Sequence, residues 1–169
     1  MPKLAANLTM LFTEHAFLDR FEAAAQAGFK AVEFLFPYAY AAQDIKRRLL
    51  DNGLQLVLHN LPAGDWDGGD RGMACHPERV QEFRRGVALA LDYAQVLDVK
   101  QLNCLVGKTP VAQASDLVHQ TLLHNLDYAA SQLRGAGLNL LIEPINTFDI
   151  PGFHLSRTQQ ALELMAQVG

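Results

Sequence analysis

At 169 residues with a formal charge of −4 and no block of like charges, the chain has the size of one domain, 1–169, and suits neither nucleic acid nor an anionic membrane. Half of it is hydrophobic and 19% is charged, with 12 Gly and 7 Pro, a globular composition rather than a disordered one. No apolar run is long enough to span a membrane, the N-terminus has no signal-like apolar core, and Cys75 and Cys104 lack CxxC spacing, so reduced thiols in a cytoplasmic protein are expected.

Leu4 to Leu8 reads as a short first strand. Thr13 is placed to cap a helix whose apolar positions Phe17, Leu18, Phe21, Ala24 and Ala25 follow the helical period, and Gly28 is placed to end it. Ala31 to Phe36 is a second strand, closed by Pro37. The next helix has Ile45, Leu49 and Leu50 on its buried side and ends at Asn52-Gly53. Leu54 to Asn60 is a third strand, followed by a long loop, Leu61 to His76, rich in glycine. Pro77 suits the first turn of a helix that turns Val80, Phe83, Val87, Ala90, Leu91 and Ala94 inward.

Val99 to Val106 is a fourth strand, ending at Gly107-Lys108-Thr109-Pro110. Ser115 is placed to cap a helix buried along Val118, Leu122, Leu126, Ala129 and Leu133. Between Gly137 and Pro144 lies an apolar run, Leu140-Leu-Ile-Glu143, with the look of a buried strand that stops on a carboxylate. Ser156-Arg-Thr-Gln159 then predicts a capping box for a last helix that buries Leu162 and Met165 and stops at Gly169.

Five strand–helix units in succession, with no hairpin signal, predict parallel strands joined by right-handed crossovers. An open doubly wound sheet and part of a (β/α)8 barrel both satisfy that pattern. No GxGxxG or GxxxxGK[ST] follows the first strand, which argues against a nucleotide cofactor. A barrel of eight such units takes roughly 250 residues, so the chain supplies about five of them.

In either architecture the working loops follow the strands' C-terminal ends. Asn7, His59, Asn60, Asn103, Lys108, Glu143 and Asn146 fall there. A strand-end carboxylate, Glu143, is suited to move a proton or to hold a divalent cation. Lys108, or Arg71 in the glycine-rich loop, is suited to hold a substrate carboxylate, and His59 to hydrogen-bond a hydroxyl or carbonyl. The loop acids Asp65, Asp67 and Asp70 are explained by exposure. Glu33, in mid-strand, reads as structural and in need of a partner. Trp66 and the phenylalanines read as core or loop anchors, Cys104 as an inert core thiol, and His119 and His124 as surface groups too poorly spaced for a metal.

Several segments carry a family likeness: Ala6-Asn-Leu-Thr-Met-Leu-Phe12, Gly28-Phe-Lys-Ala-Val-Glu-Phe-Leu-Phe-Pro37, Leu58-His-Asn-Leu-Pro-Ala-Gly-Asp-Trp66, Asn103-Cys-Leu-Val-Gly-Lys-Thr-Pro110, Leu141-Ile-Glu-Pro-Ile-Asn146 and Asp149-Ile-Pro-Gly-Phe-His-Leu155. The sequence resembles the hydroxypyruvate isomerase family, within the xylose isomerase-like TIM-barrel superfamily. The resemblance implies an enzyme of glyoxylate and carbohydrate metabolism that interconverts hydroxypyruvate and tartronate semialdehyde through an enediol. It implies that Glu143 is the strand-five acid/base and, where a metal is used, a ligand to Mg or Mn. The family's second catalytic glutamate comes from strands six to eight, which lie beyond this chain. The expectation is therefore a barrel truncated before those strands, with open edges that favour self-association. Two rival readings stand beside it: an isomerase or epimerase of oxo-tetronates or sugars, and a non-catalytic barrel fragment. The apurinic endonucleases of the same superfamily fit less well, because they need a multi-metal site and a basic surface.

Overall fold

The computed structural model describes residues 2–168, so Gly169, expected to stop the last helix, lies outside the described residues. Five strands, β1 (Ala5–Asn7), β2 (Ala31–Phe34), β3 (Gln55–Asn60), β4 (Gln101–Cys104) and β5 (Asn139–Ile142), form one sheet in the order β1-β2-β3-β4-β5. Every neighbouring pair is parallel. A doubly wound sheet reverses its strand order at a switch point, whereas a barrel wall keeps chain order. The sheet is therefore a partial barrel. Its helices are α1 (Arg20–Gln26), α2 (Ala42–Asp51), α3 (Val80–Leu97), α4 (Ser115–Gly135) and α5 (Thr158–Val168).

The strands' outward side chains meet the helices in one apolar layer. Val32, Phe34, Leu56, Leu102 and Cys104 are buried from the sheet, and Phe21, Ile45, Val87, Leu122, Leu126 and Leu133 from the helices. Each buried Leu or Phe is worth about 1.5–3 kcal/mol of transfer free energy, so this layer dominates the fold's stability. The five apolar positions predicted for the inner face of α4 are all buried, joined by Thr121 and Asn125. Strand β5 is different. Only β4 pairs with it among the described residues, and none of its four residues is fully buried, contrary to the buried strand expected there.

Several local expectations fail for identifiable reasons. Thr13 does not cap α1. A 3-10 turn, Phe17–Asp19, precedes that helix, and Phe17 packs against Phe21, Phe34 and Tyr40 at ring separations of 5.5, 5.5 and 4.9 Å. Aromatic packing sets the entry angle instead of a hydroxyl. Leu50 is 67% exposed, because Ala42, Ile45 and Leu49 already define the buried stripe of α2 and Leu50 lies about 100° further round. Val80 and Leu91 of α3 are only partly buried. Ser115 is the first helical residue of α4, with Ala114 at the cap position.

The largest shift is in α5. Gln160, not Gln159, closes the N-terminal turn: its Oε1 accepts from the backbone N–H of Ser156 and of Arg157, both at 3.0 Å. Gln159 instead donates to Glu163. The buried stripe shifts too, by one residue toward the N-terminus. Ala161 and Leu164 are buried, and Leu162 and Met165, predicted inside, are 54% and 60% exposed. No helix among the described residues is long and apolar enough to cross a membrane.

Candidate active site

Side chains alternate across a strand, so those at the strands' C-terminal ends divide between the helix layer and the barrel interior. Asn7 of β1, Glu33 of β2, Leu58 and Asn60 of β3, Asn103 of β4 and Leu141 of β5 share the interior face. With Glu143, the first residue after β5, and Trp66 of the following loop, they line a cavity of about 640 Å³. The asparagines expected at strand ends are thus on the cavity wall, Asn146 among them.

Glu143 is held from one side. Asn103 Nδ2 donates to Glu143 Oε2 at 2.9 Å and to Asn60 Oδ1 at 3.2 Å, which links β3, β4 and the end of β5 through one amide. Asn103 and Asn60 are buried, while Glu143 is exposed to the cavity mouth. The carboxylate is therefore oriented by the protein and still open to a ligand. Glu33, expected to be only structural, has its partner in Asn7, whose Nδ2 donates to Glu33 Oε1 at 3.1 Å. It also lines the same cavity as Glu143. It shares strand parity with Leu35, which also lines the cavity. Asp149 adds a third carboxylate, accepting from Asn146 Nδ2 at 2.7 Å. No Lys, Arg or His lines the cavity among the described residues.

His59 is the main correction. It follows Leu58 and precedes Asn60, which both face inward, so the imidazole points into the helix layer, where it has no exposed surface. Its ring stacks on Phe34 at 6.4 Å and meets the edge of Tyr38 at 6.0 Å. The Asn60 carbonyl accepts from Tyr38 Oη and from His59 Nδ1, leaving Nε2 buried without a partner. Burial pulls its pKa down to about 4, against a smaller opposing effect from the Asn60 carbonyl, so the ring is neutral. The structure does not bring His59 to a substrate in the cavity.

The two candidate cations also serve the loops. Lys108 Nζ donates to the Gly69 carbonyl at 3.2 Å, and its backbone bridges Phe153. Arg71 Nη1 donates to the Trp66 and Asp70 carbonyls, and its guanidinium lies 4.1 Å from the Trp66 ring centroid. Neither side chain is on the cavity wall, although Arg71 supports Trp66, which is.

The loop acids have a structural task as well. Asp70 accepts from the Asp65 N–H and from Arg79 Nη1, both at 2.7 Å, while Arg79 also forks onto Glu82 at 2.8 Å. Burial would raise the Asp70 carboxyl, but the bonds from Arg79 and Asp65 outweigh it and hold the pKa below its ordinary value. The other end of this loop is clamped by a Gly72–Val106 bridge just past β4 and by Asn125 Nδ2 of α4 donating to the Ala74 carbonyl. Cys75 and Cys104 are buried, and burial pushes both thiols up to about 12, which leaves them inert. His119 and His124 lie on the exposed side of α4.

A hard divalent cation needs about six oxygen ligands. Among the described residues no group of three His, Cys, Asp or Glu side chains is placed to hold a metal. Glu143 offers one such ligand, and these residues alone do not make a metal site.

A family model described as a xylose isomerase-like TIM barrel matches residues 21–169. The chain is 57% identical over its whole length to a hydroxypyruvate isomerase of Escherichia coli, covering 66% of that protein. It is 45% identical over its whole length to a 2-oxo-tetronate isomerase of Cupriavidus necator, covering 65%. The crystal structure of an AP endonuclease, family 2, from Brucella melitensis superposes with a TM-score of 0.96 at 43% identity, covering all of this chain and 65% of that one. The chain thus spans about two thirds of the length of the curated relatives it matches.

Proposed function

The chain belongs to the xylose isomerase-like TIM-barrel family, and from that premise we propose that it carries the strand-five half of an isomerase site acting on small hydroxy-oxo acids, with hydroxypyruvate and tartronate semialdehyde as the interconverted pair. The observation that carries this reading is Glu143, a carboxylate open to a cavity of about 640 Å³ and oriented by Asn103 at 2.9 Å. The relative in Escherichia coli bears the name of the same reaction.

In this reading Glu143 removes a proton from the hydroxyl-bearing carbon next to the carbonyl. The electron pair left behind forms the carbon–carbon double bond of an enediolate, and the carbonyl π electrons move onto oxygen. Return of the proton from Glu143 to the former carbonyl carbon gives the isomer. Asn103 keeps the carboxylate from rotating away during the transfer. The proton exchanged between the two oxygens needs a second acid/base. The resemblance leads one to expect that group on later strands, and in this reading the present segment supplies the carbon-to-carbon transfer. If Mg or Mn takes part, Glu143 is the ligand this segment offers, and the cation's contribution is to polarise the carbonyl.

Exchange of the C3 protons of hydroxypyruvate with deuterium from solvent, followed by NMR, isolates the step that Glu143 performs. The wild-type protein is expected to accelerate exchange, and Glu143→Gln to lose roughly 10²–10⁴ of that rate. Exchange undiminished in the variant sinks the proposal.

The relative in Cupriavidus necator supports a second reading, 2-oxo-tetronate as substrate. Comparing kcat/KM for the three- and four-carbon acids decides between the two. A role on DNA is disfavoured, because among the described residues the cavity wall carries three carboxylates and no cation to meet phosphate.

A further inference from the structure

We propose that Glu33 is a second substrate-contacting carboxylate of the cavity, one that accepts a hydrogen bond from a hydroxyl group of the bound hydroxy-oxo acid. The inference rests on the isomerase reading of this cavity and adds to it the residue that selects a hydroxylated ligand.

Glu33 takes its place through an irregularity in the sheet. Regular pairing would set it opposite Val57, but the β2–β3 register shifts between Val32 and Glu33 and sets it opposite Leu58, which also lines the cavity. Irregularities of this kind re-aim side chains beside functional sites. On its other side Asn7 is its register partner and holds one carboxylate oxygen, Nδ2 donating to Oε1 at 3.1 Å. The Asn7 amide has one orientation, because its Oδ1 accepts from the Thr9 N–H at 3.0 Å.

The second oxygen, Oε2, is free. Among the described residues nothing donates to it, and no cation pairs with Glu33. The unpartnered side-chain oxygens that are sealed from solvent belong to Asn103 and Asn125, not to Glu33, so Oε2 keeps accessible surface. Glu33 stands on the interior face between β1 and β3, and that surface therefore opens into the cavity. Glu143 is built alike: Asn103, from the neighbouring strand, holds one of its oxygens, and the residue is exposed.

A carboxylate oxygen left open in this way accepts only a donor. Met10, Leu35 and Leu58 on the same wall offer none, and no group of three acidic, His or Cys side chains is placed for a metal among the described residues. A small hydroxy-oxo acid carries a carboxylate, a carbonyl and a hydroxyl, of which the hydroxyl alone donates. Its own carboxylate meets like charge at Glu33. Strands β3 and β4 separate Glu33 from Glu143, so the two glutamates meet the ligand from different sides of the cavity.

Pyruvate carries hydrogen where hydroxypyruvate carries its hydroxyl, so the two acids isolate this contact. The indole N–H resonance of Trp66, the single tryptophan of the sequence, reports occupancy because Trp66 lines the same cavity. Dissociation constants from NMR titration of the wild-type protein are expected to favour hydroxypyruvate about tenfold, the lower end for a hydrogen bond to a charged group. In Glu33→Ala the ratio is expected to fall to within about twofold of one. A glutamate that served only to hold Asn7 and β1 would weaken both acids alike when removed and leave the ratio in place. Glu33→Gln keeps an oxygen for Asn7 and takes over where Glu33→Ala fails to fold by circular dichroism; its ratio is expected to drop about threefold or more. Where neither variant folds, the wild-type ratio decides alone. Equal affinities in the wild type, a ratio preserved in a folded variant, or binding of neither acid overturns the proposal. Discrimination lost in Glu33→Ala with exchange undiminished in Glu143→Gln defeats the isomerase reading and spares the hydroxyl contact. Exchange lost in Glu143→Gln with equal affinities in the wild type does the reverse.

Discussion

Glu143 and His59 stand near the C-terminal ends of strands in the same sheet and face opposite ways. Glu143 follows β5 on the interior side, with Asn103 attached, while His59 is sealed under the helices with Nε2 unpaired. The apolar run around each residue shows a strand, but not which face its odd positions take. That parity depends on pairing with neighbours, such as the Asn60 N–H bonding to the Leu35 carbonyl, and on which face the helices cover. Glu33 was obscured for the same reason.

The buried imidazole has a consequence for pH. Its pKa is about 4 in the fold, against about 6.5 in an unfolded chain. Between those values the unfolded state binds the extra proton, so stability rises with pH and is lost as pH falls from 6.5 toward 4. The total is on the order of 3 kcal/mol. Asp70 and Glu82, whose carboxyls are held low chiefly by Arg79 against the opposing effect of burial, lose their contribution below that window. Urea denaturation of His59→Phe between pH 4.5 and 7 should show a much flatter dependence than the wild type; matching slopes would remove His59 as the cause.

Among the elements, α4 was legible along its whole buried stripe and α5 was shifted by one residue, and the contrast is physical. A helix of 21 residues repeats its apolar pattern often enough to define a face, whereas the 11 residues of α5 offer too few repeats to fix one. Leu164→Ala should then cost about 2–3 kcal/mol in thermal or urea unfolding, and Leu162→Ala no more than about 0.5. The reverse ranking would restore the register expected from the sequence.

The loop after β3 was readable as glycine-rich, but not as a clamp. At Gly72, φ is +121° and an added Cβ would lie 2.0 Å from the Leu105 carbonyl oxygen, so backbone conformation and close approach both require glycine. Gly72→Ala is expected to destabilise the protein by at least about 3 kcal/mol. Limited proteolysis should find its first new cut within 61–76. An unchanged digestion pattern would show that the clamp is dispensable.

At the scale of the molecule, barrel and doubly wound sheet were indistinguishable from alternation alone, and strand order separates them. Order is set by which strands pair across the long crossovers, something no local pattern records. It leaves β5 paired on one side only among the described residues. Beside β5, Leu126, Leu138, Leu140, Ile142 and Met165 line a second cavity of about 260 Å³. An apolar strand edge of this kind templates pairing with another chain. Sedimentation velocity on the 169-residue chain should show association that grows with concentration and weakens in Leu140→Lys; a monomer at every concentration would contradict it.

The same strand order also bears on how the chain folds during synthesis. Ala5 pairs with Ala31, Ala31 with Gln55, and Asn103 with Leu141, so every strand meets its partner in the very next unit of the chain. Within these five strands no early one has to wait for a distant one. The pair β1–β2 is complete before β3 leaves the ribosome, and each later unit adds to a surface already formed. The sheet can grow in the direction of translation, one strand and its covering helix at a time.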